Sequence, residues 1–164
     1  MNDALAFWKT AHVLSAAILF GTGLGIAFFC WFGFLRALRT ADIAGLRLVL
    51  RLTVLADAWF TAPAVVFQVV SGLVLMQLHG WSHLSPWSVA AWLLFALTGA
   101  CWLPVIVMQI RLSREADRVP SIDALPARFH RWFRLWFILG VPAFTAVVLL
   151  FYLMVAKPLA ITVA

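Results

Sequence analysis

The sequence predicts an all-α integral membrane protein, built as a bundle of four spanning helices. The 164-residue chain is 65% hydrophobic and only 11% charged, whereas a soluble domain is typically about 45–50% apolar. Four apolar segments are each long enough to cross a hydrocarbon core roughly 30 Å thick, which takes about 20 helical residues. Most of the twelve Lys and Arg residues lie in two stretches between these segments, Arg36–Arg51 and Arg111–Arg134.

We expect the spans at residues 11–35, 58–78, 87–110 and 135–156, within a single domain that covers residues 1–164. Four spans place both basic stretches on the same side of the membrane. The positive-inside rule assigns that side to the cytoplasm. Both termini and the loop 79–86 are therefore expected outside.

Composition also excludes several classes of protein. The net charge of +6 does not indicate nucleic-acid binding, because the arginines lie close to span ends, where they orient the protein and meet anionic lipid. The sequence contains no CxxC, no Gly-rich phosphate loop and no HExxH, so phosphoryl transfer and zinc hydrolysis have no residues to carry them. Cys30 and Cys101 are interpreted as packing residues. Asp3 makes the N-terminus acidic, unlike a signal peptide, so the first span is expected to remain.

Between the first two spans, residues 40–52 have the pattern of a short helix, with Thr40 or Asp42 as its N-cap. This helix either lies along the inner interface or extends the second span inward. In the second basic stretch, residues 127–134 mix arginines with aromatic residues, which is typical of a helix that enters the interface.

Small and polar residues indicate how the spans pack. In the first span, Ala17, Gly21 and Gly25 recur every four residues and form a face that lets a neighbouring backbone approach closely. The opposite face carries His12 and Cys30, so contacts are expected on two sides. The second span carries a polar stripe, which cannot face lipid without a large cost in free energy; its members are Asp57, Thr61, Gln68, Ser71 and His79.

Five basic side chains are predicted near the outer interface: Lys9, His12, His79, His83 and Lys157. In one interpretation they form an interfacial belt with neighbouring tryptophans. In the other, histidines from different helices flank a cleft and ligate a haem iron axially, while Lys9 and Lys157 neutralise the haem propionates. A copper or zinc site built from the three histidines is a further alternative.

A resemblance to known families adds to this interpretation. Residues 7–13 (Phe-Trp-Lys-Thr-Ala-His-Val), Thr61-Ala62-Pro63-Ala64, Ser71-Gly72-Leu73, Gly80-Trp81 with His83, and Lys157-Pro158 resemble, in order, the pattern of the bacterial membrane-embedded protoporphyrinogen oxidase family. The whole chain is more similar to a sister group, an uncharacterised family of predicted four-span bacterial integral membrane proteins.

The resemblance implies a bacterial inner-membrane protein with a b-type haem site. A histidine of the first span is implicated in haem binding in the oxidase family, and His12 occupies the matching place. That family also has an essential lysine in a Gly-Trp-x-His-x-Lys pattern, where this chain has Ser85. The oxidase reaction therefore does not carry over with the fold.

The sequence thus leaves open whether the chain is an enzyme. The first hypothesis is a redox or porphyrin-binding protein with His12 on the haem iron and His79 or His83 as the second ligand. The second is a non-catalytic scaffold or accessory subunit that packs against partner helices or a second copy. A third is a permeation path along Gln68 and Thr98.

Overall fold

The computed structural model describes residues 2–156, which are almost entirely helical. In chain order the elements are α1 (Asn2–Thr40), α2 (Ile43–Ala56), a π-helical turn (Asp57–Thr61), α3 (Ala62–His79), α4 (Pro86–Arg118), a 3₁₀ turn (Ile122–Ala124) and α5 (Ala127–Ala156). The described residues contain no β-strand.

Four helices are long and apolar enough to cross a membrane, and they cover residues 3–40, 43–79, 86–118 and 127–156. Each predicted span falls inside one of them, which confirms the all-α, four-span fold. Large apolar side chains are exposed along all four; Phe29, Trp59, Leu103 and Val141 are each more than half exposed. This surface suits contact with lipid, not water.

The short predicted helix extends the second span. Ala41, with φ 52°, separates α1 from α2. The carboxylate of Asp42 accepts a hydrogen bond from the Gly45 N–H at 2.8 Å and caps α2, whereas the Thr40 hydroxyl donates back to the Arg36 carbonyl within α1. Asp42 is therefore the N-cap. α2 packs closely on α1 because Gly33 has no side chain: a Cβ there would lie 2.9 Å from Val49.

The π-helical turn joins α2 to α3 and has a local cause. Pro63 has no N–H to donate, and its ring would clash with the carbonyl of Trp59, four residues earlier, in a regular α-helix. The chain relieves this conflict with one wider turn, in which the Ala62 N–H donates to the Asp57 carbonyl, five residues back. Single π turns inside helices occur frequently at functional sites.

The helices run antiparallel, which gives the bundle two distinct ends. The histidine end comprises the start of α1, the end of α3, residues 80–85 and the start of α4; the arginine end comprises the end of α1, α2, the end of α4 and the start of α5. The largest buried cluster lies towards the arginine end, where Phe34, Leu50, Leu112 and Phe129 pack together.

Arginines hold the arginine end together. Arg47 donates from Nε to the Ala116 carbonyl at 3.0 Å and from Nη2 to the Val119 carbonyl at 2.6 Å, so it caps the C-terminus of α4 from α2. Arg128 at the start of α5 forms a bidentate pair with the buried Glu115 at 2.9–3.3 Å. These side chains therefore position helices as well as meeting lipid.

We expect replacement of Arg47 by Met to destabilise the bundle. The substitution keeps the aliphatic stem but leaves two helix-end carbonyls without a donor, and a hydrogen bond from a charged group contributes about 1.5–3 kcal/mol. Thermal unfolding in detergent should show a lower Tm than the wild-type protein. Arg131→Met is the matched control, because Arg131 is exposed; equal Tm values for the two variants would contradict the capping role.

Candidate functional site at the histidine end

His12 lies on α1 and faces α3, where it is half-buried. Its Nδ1 is 2.7 Å from the Ser71 hydroxyl. Gly72 lies beside the ring: a Cβ added there would be 3.6 Å from Cε1 of the imidazole. The imidazole is therefore held against α3 at a position where α3 has no side chain of its own.

The hydrogen bonds of Ser71 determine the tautomer of His12. The Ser71 hydroxyl lies 2.6 Å from the Phe67 carbonyl, which can only accept, so the hydroxyl donates its single proton there. The same oxygen must then accept from His12, which places the proton of the neutral imidazole on Nδ1. Nε2 consequently keeps its lone pair, and within residues 2–156 it has no hydrogen-bond partner. Metal-ligating histidines typically have this arrangement, with the second nitrogen bonded to a protein acceptor.

Two further polar contacts join α1 to α3 around this histidine. Gln68 donates from Nε2 to the His12 carbonyl at 2.8 Å, and the buried Ser15 donates to the Ala64 carbonyl at 3.2 Å. We call these contacts, together with His12–Ser71, the α1–α3 seam. Interhelical hydrogen bonds in membrane proteins contribute about 0.6 kcal/mol on average. The contribution of the seam to stability is therefore small, and its main effect is to fix the register of α1 against α3.

His79 lies two turns beyond Ser71, about 12 Å along the helix axis. Its Nδ1 is 2.8 Å from the Leu75 carbonyl, so Nδ1 carries the proton and the ring points back along α3 towards the level of His12. Trp81 stacks on the imidazole at a centroid distance of 4.1 Å. Nε2 of His79 again has no hydrogen-bond partner within the described residues. Both histidines, His12 on α1 and His79 on α3, are thus held in the same tautomer.

The other predicted residues are less constrained. Lys9 is exposed on α1, one turn before His12, and His83 is exposed in the loop. Lys157 lies outside the described residues. Ser85, which stands where the oxidase pattern has lysine, bonds Ser88 at 2.6 Å and immediately precedes α4. The Ser85 hydroxyl therefore stabilises the junction between the loop and α4.

The structure does not assemble the three-histidine copper or zinc alternative. Among residues 2–156, no three His, Cys, Asp or Glu side chains come together as a metal-binding group. The permeation hypothesis stays a prediction: Gln68 donates to the His12 carbonyl, and the Thr98 hydroxyl donates to the Leu94 carbonyl of its own helix.

The polar stripe of the second span faces other helices, as predicted, but it divides between two neighbours. Gln68 and Ser71 bond α1, whereas Asp57 and Thr61 are buried beside Gln109 of α4. Sequence reasoning placed Asp57 just before the second span and gave it no functional role. The i, i+4 spacing of Asp57 and Thr61, followed by Pro63, was the available signal.

The small-residue face of α1 is not packed. A Cβ on Gly21 or Gly25 would have no atom within 4 Å, so the expected close helix approach does not occur there within the described chain. Instead, Gly23 meets α5, where a Cβ added to this glycine would lie 3.2 Å from the Phe144 ring, and α3 covers the side that carries His12 and Ser15. The predicted contact side with His12 and Cys30 is thus packed, whereas the predicted small-residue face is not, and Gly23 contacts α5 instead.

The fold and this site define a multi-pass integral membrane protein with two hydrogen-bonded histidines, His12 and His79, at one end of its bundle. The chain belongs to the family described as "Predicted integral membrane protein (DUF2269)", whose model matches residues 6–158. No curated protein and no solved structure matches the chain.

Proposed function

We propose that this membrane protein binds a b-type haem or a related porphyrin at its histidine end, with His12 as an axial ligand, and that it serves a redox role. The observation that carries the proposal is the hydrogen-bond chain from His12 Nδ1 through Ser71 to the Phe67 carbonyl, which leaves Nε2 available. A serine placed to orient an imidazole in this way is the outer hydrogen-bond partner expected of a ligand.

His79 is the better second ligand. Its ring is fixed by the Leu75 carbonyl and by Trp81 and points towards the level of His12, whereas His83 is exposed. We expect Lys9, which is exposed one turn before His12, to neutralise a propionate; the sequence predicts the same role for Lys157, which lies outside the described residues. A bound haem would supply one-electron chemistry at its iron. The residues of this chain would hold and orient the haem and set the polarity of its surroundings.

The departure at Ser85 limits the proposal to haem or porphyrin binding with electron transfer, to or from a quinone or a membrane partner. A serine supplies no positive charge in place of the oxidase family's lysine. We therefore do not extend the protoporphyrinogen oxidase reaction to this chain.

The test is an absorbance spectrum of the protein purified in mild detergent with haem supplied, oxidised and dithionite-reduced, with a pyridine haemochrome assay. We expect a stoichiometric Soret band that His12→Ala abolishes. Ser71→Ala should keep the ligand but misorient it and weaken haem binding about 10–100-fold. His130→Ala is the matched control, because His130 lies at the arginine end against Phe34. A colourless wild-type protein, or a band that His12→Ala leaves intact, would contradict the proposal.

The second candidate is a non-catalytic scaffold or accessory subunit. The unpacked face of Ala17, Gly21 and Gly25 favours it, because small residues at this spacing allow a helix of a second copy or a membrane partner to approach closely. A protein that stays colourless in the same absorbance assay would exclude haem binding and favour this second candidate.

We also propose that the protein resides in a bacterial inner membrane with its arginine end in the cytoplasm. The described arginines all lie at that end of the bundle, as the positive-inside rule requires. In intact cells, a membrane-impermeant maleimide should label His83→Cys, and it should label Asp123→Cys only after permeabilisation. Cys30 and Cys101 are buried and give little background. The reverse labelling pattern would refute this orientation.

A further inference from the structure

A second polar site lies between the π-helical turn and α4, away from the histidine end. It surrounds a cavity of about 250 Å³, whose lining is mostly aliphatic and includes Val54, Ile106 and Ile110. Asp57 and Gln109 are the polar side chains that line it, and they are only 6% and 3% exposed. Nothing in the haem proposal uses these residues.

Asp57 has no cationic partner among residues 2–156. Asp42, Glu115 and Asp117 each lie within 4.0 Å of an arginine, but Asp57, one of the most buried carboxyl groups, does not. An unpaired carboxylate buried in a low-dielectric interior is costly.

The arginines of the adjoining segments are engaged elsewhere. Arg47 bonds the Ala116 and Val119 carbonyls, Arg51 pairs with Asp117, and Arg111 lies 5.5 Å above the ring of Trp132. Asp57 thus has no arginine partner among the described residues and is open to a cationic ligand from outside the chain.

The side chains around Asp57 carry both donors and acceptors, but none of them carries a positive charge. Thr61, Gln109 and Trp102 lie close enough to interact with its carboxyl group. In the described part of the chain, three buried oxygens nevertheless have no hydrogen-bond partner within 3.5 Å, namely Asp57 Oδ2, Thr61 Oγ1 and Gln109 Oε1. The indole N–H of Trp102 also has no acceptor there. The Trp102 indole, the Thr61 hydroxyl and the Gln109 amide supply neutral donors, so what the described residues do not supply to Asp57 is a positive charge.

We propose that the cavity binds a primary ammonium group carried on an apolar body. An ammonium group has three N–H donors and no acceptor, so it can donate to the unpartnered oxygens of Asp57 and Gln109, the two polar residues that line the cavity, and its positive charge matches Asp57. The aliphatic lining suits the hydrocarbon part of such a molecule, as in most small-molecule sites.

Two sources offer this chemistry: a free amphipathic amine and the ethanolamine headgroup of a membrane lipid. Asp57 is about 33 Å along the helix from His79 at roughly 1.5 Å per residue. This distance is close to the thickness of the hydrocarbon core, so the site lies near the level of the headgroups at the arginine end. Either source reaches that level.

The first arm of the test is calorimetric titration of n-octylamine into the protein in nanodiscs of phosphatidylcholine, with empty nanodiscs subtracted. We expect saturable binding at one site. Octyltrimethylammonium, which keeps the charge but has no N–H, and octanol, which has no charge, should each bind at least tenfold more weakly.

Variants locate the site. Asp57→Asn should weaken octylamine binding at least tenfold, and Asp123→Asn, which removes an exposed carboxylate at the same end of the bundle, should leave it unchanged. Ala62→Val fills the cavity while keeping the carboxylate and should also weaken binding, which keeps the proposal testable if Asp57→Asn does not fold. Size-exclusion elution reports on folding.

The second arm is native mass spectrometry of protein extracted from membranes that contain phosphatidylethanolamine. Retention of this lipid by the wild-type protein but not by the Asp57 and Ala62 variants identifies the headgroup as the ligand; octylamine binding without lipid retention identifies a free amine. The proposal is overturned if neither ligand is held, if both variants bind like the wild type, or if the trimethyl analogue binds as tightly as octylamine.

Discussion

A hydrocarbon core offers no hydrogen-bonding partner, so each polar group of the four spans has to find one within the chain. Helices satisfy the backbone, and the few polar side chains pair where helices meet. His12, Ser71 and Gln68 satisfy one another across α1 and α3. Because these contacts are specific, they set the register of the two helices and, through Ser71, the tautomer of His12. The lack of hydrogen-bonding partners in the hydrocarbon core thus determines which nitrogen of His12 is protonated at the histidine end.

The same constraint explains why the two ends of the bundle differ. At the arginine end, arginines supply donors to the carbonyls where α4 ends and to the buried Glu115, above a core of large apolar side chains. Among residues 2–156 the exceptions are an oxygen each of Asp57, Thr61 and Gln109 and the indole N–H groups of Trp102 and Trp136. An ionisable group such as Asp57 in a membrane-spanning segment is by default a candidate functional site.

Much of the fold could be predicted from composition and spacing, because hydropathy and the placement of arginines depend on local sequence alone. The spans, the Asp42 cap and the inward-facing polar stripe are examples. Contacts that depend on which helices become neighbours could not be predicted: Arg47 reaches carbonyls about 70 residues away in sequence, and Ser71 meets His12 only in one register. Asp57 was predicted as part of the polar stripe but given no functional role, because a charged residue marks the end of a span in a hydropathy profile, while the π-helical turn before Pro63 continues the helix through it.

The central claim is that Ser71 holds His12 with its proton on Nδ1 and its Nε2 lone pair available. The direct test is ¹⁵N NMR of histidine-labelled protein in lipid without haem, with the His12 signals assigned by their loss in His12→Gln. We predict a protonated Nδ1 and an unprotonated Nε2 in the wild type, and a mixture of tautomers in Ser71→Ala. A wild-type His12 with its proton on Nε2 would contradict the account, because the nitrogen proposed to bind iron would then have no lone pair to offer.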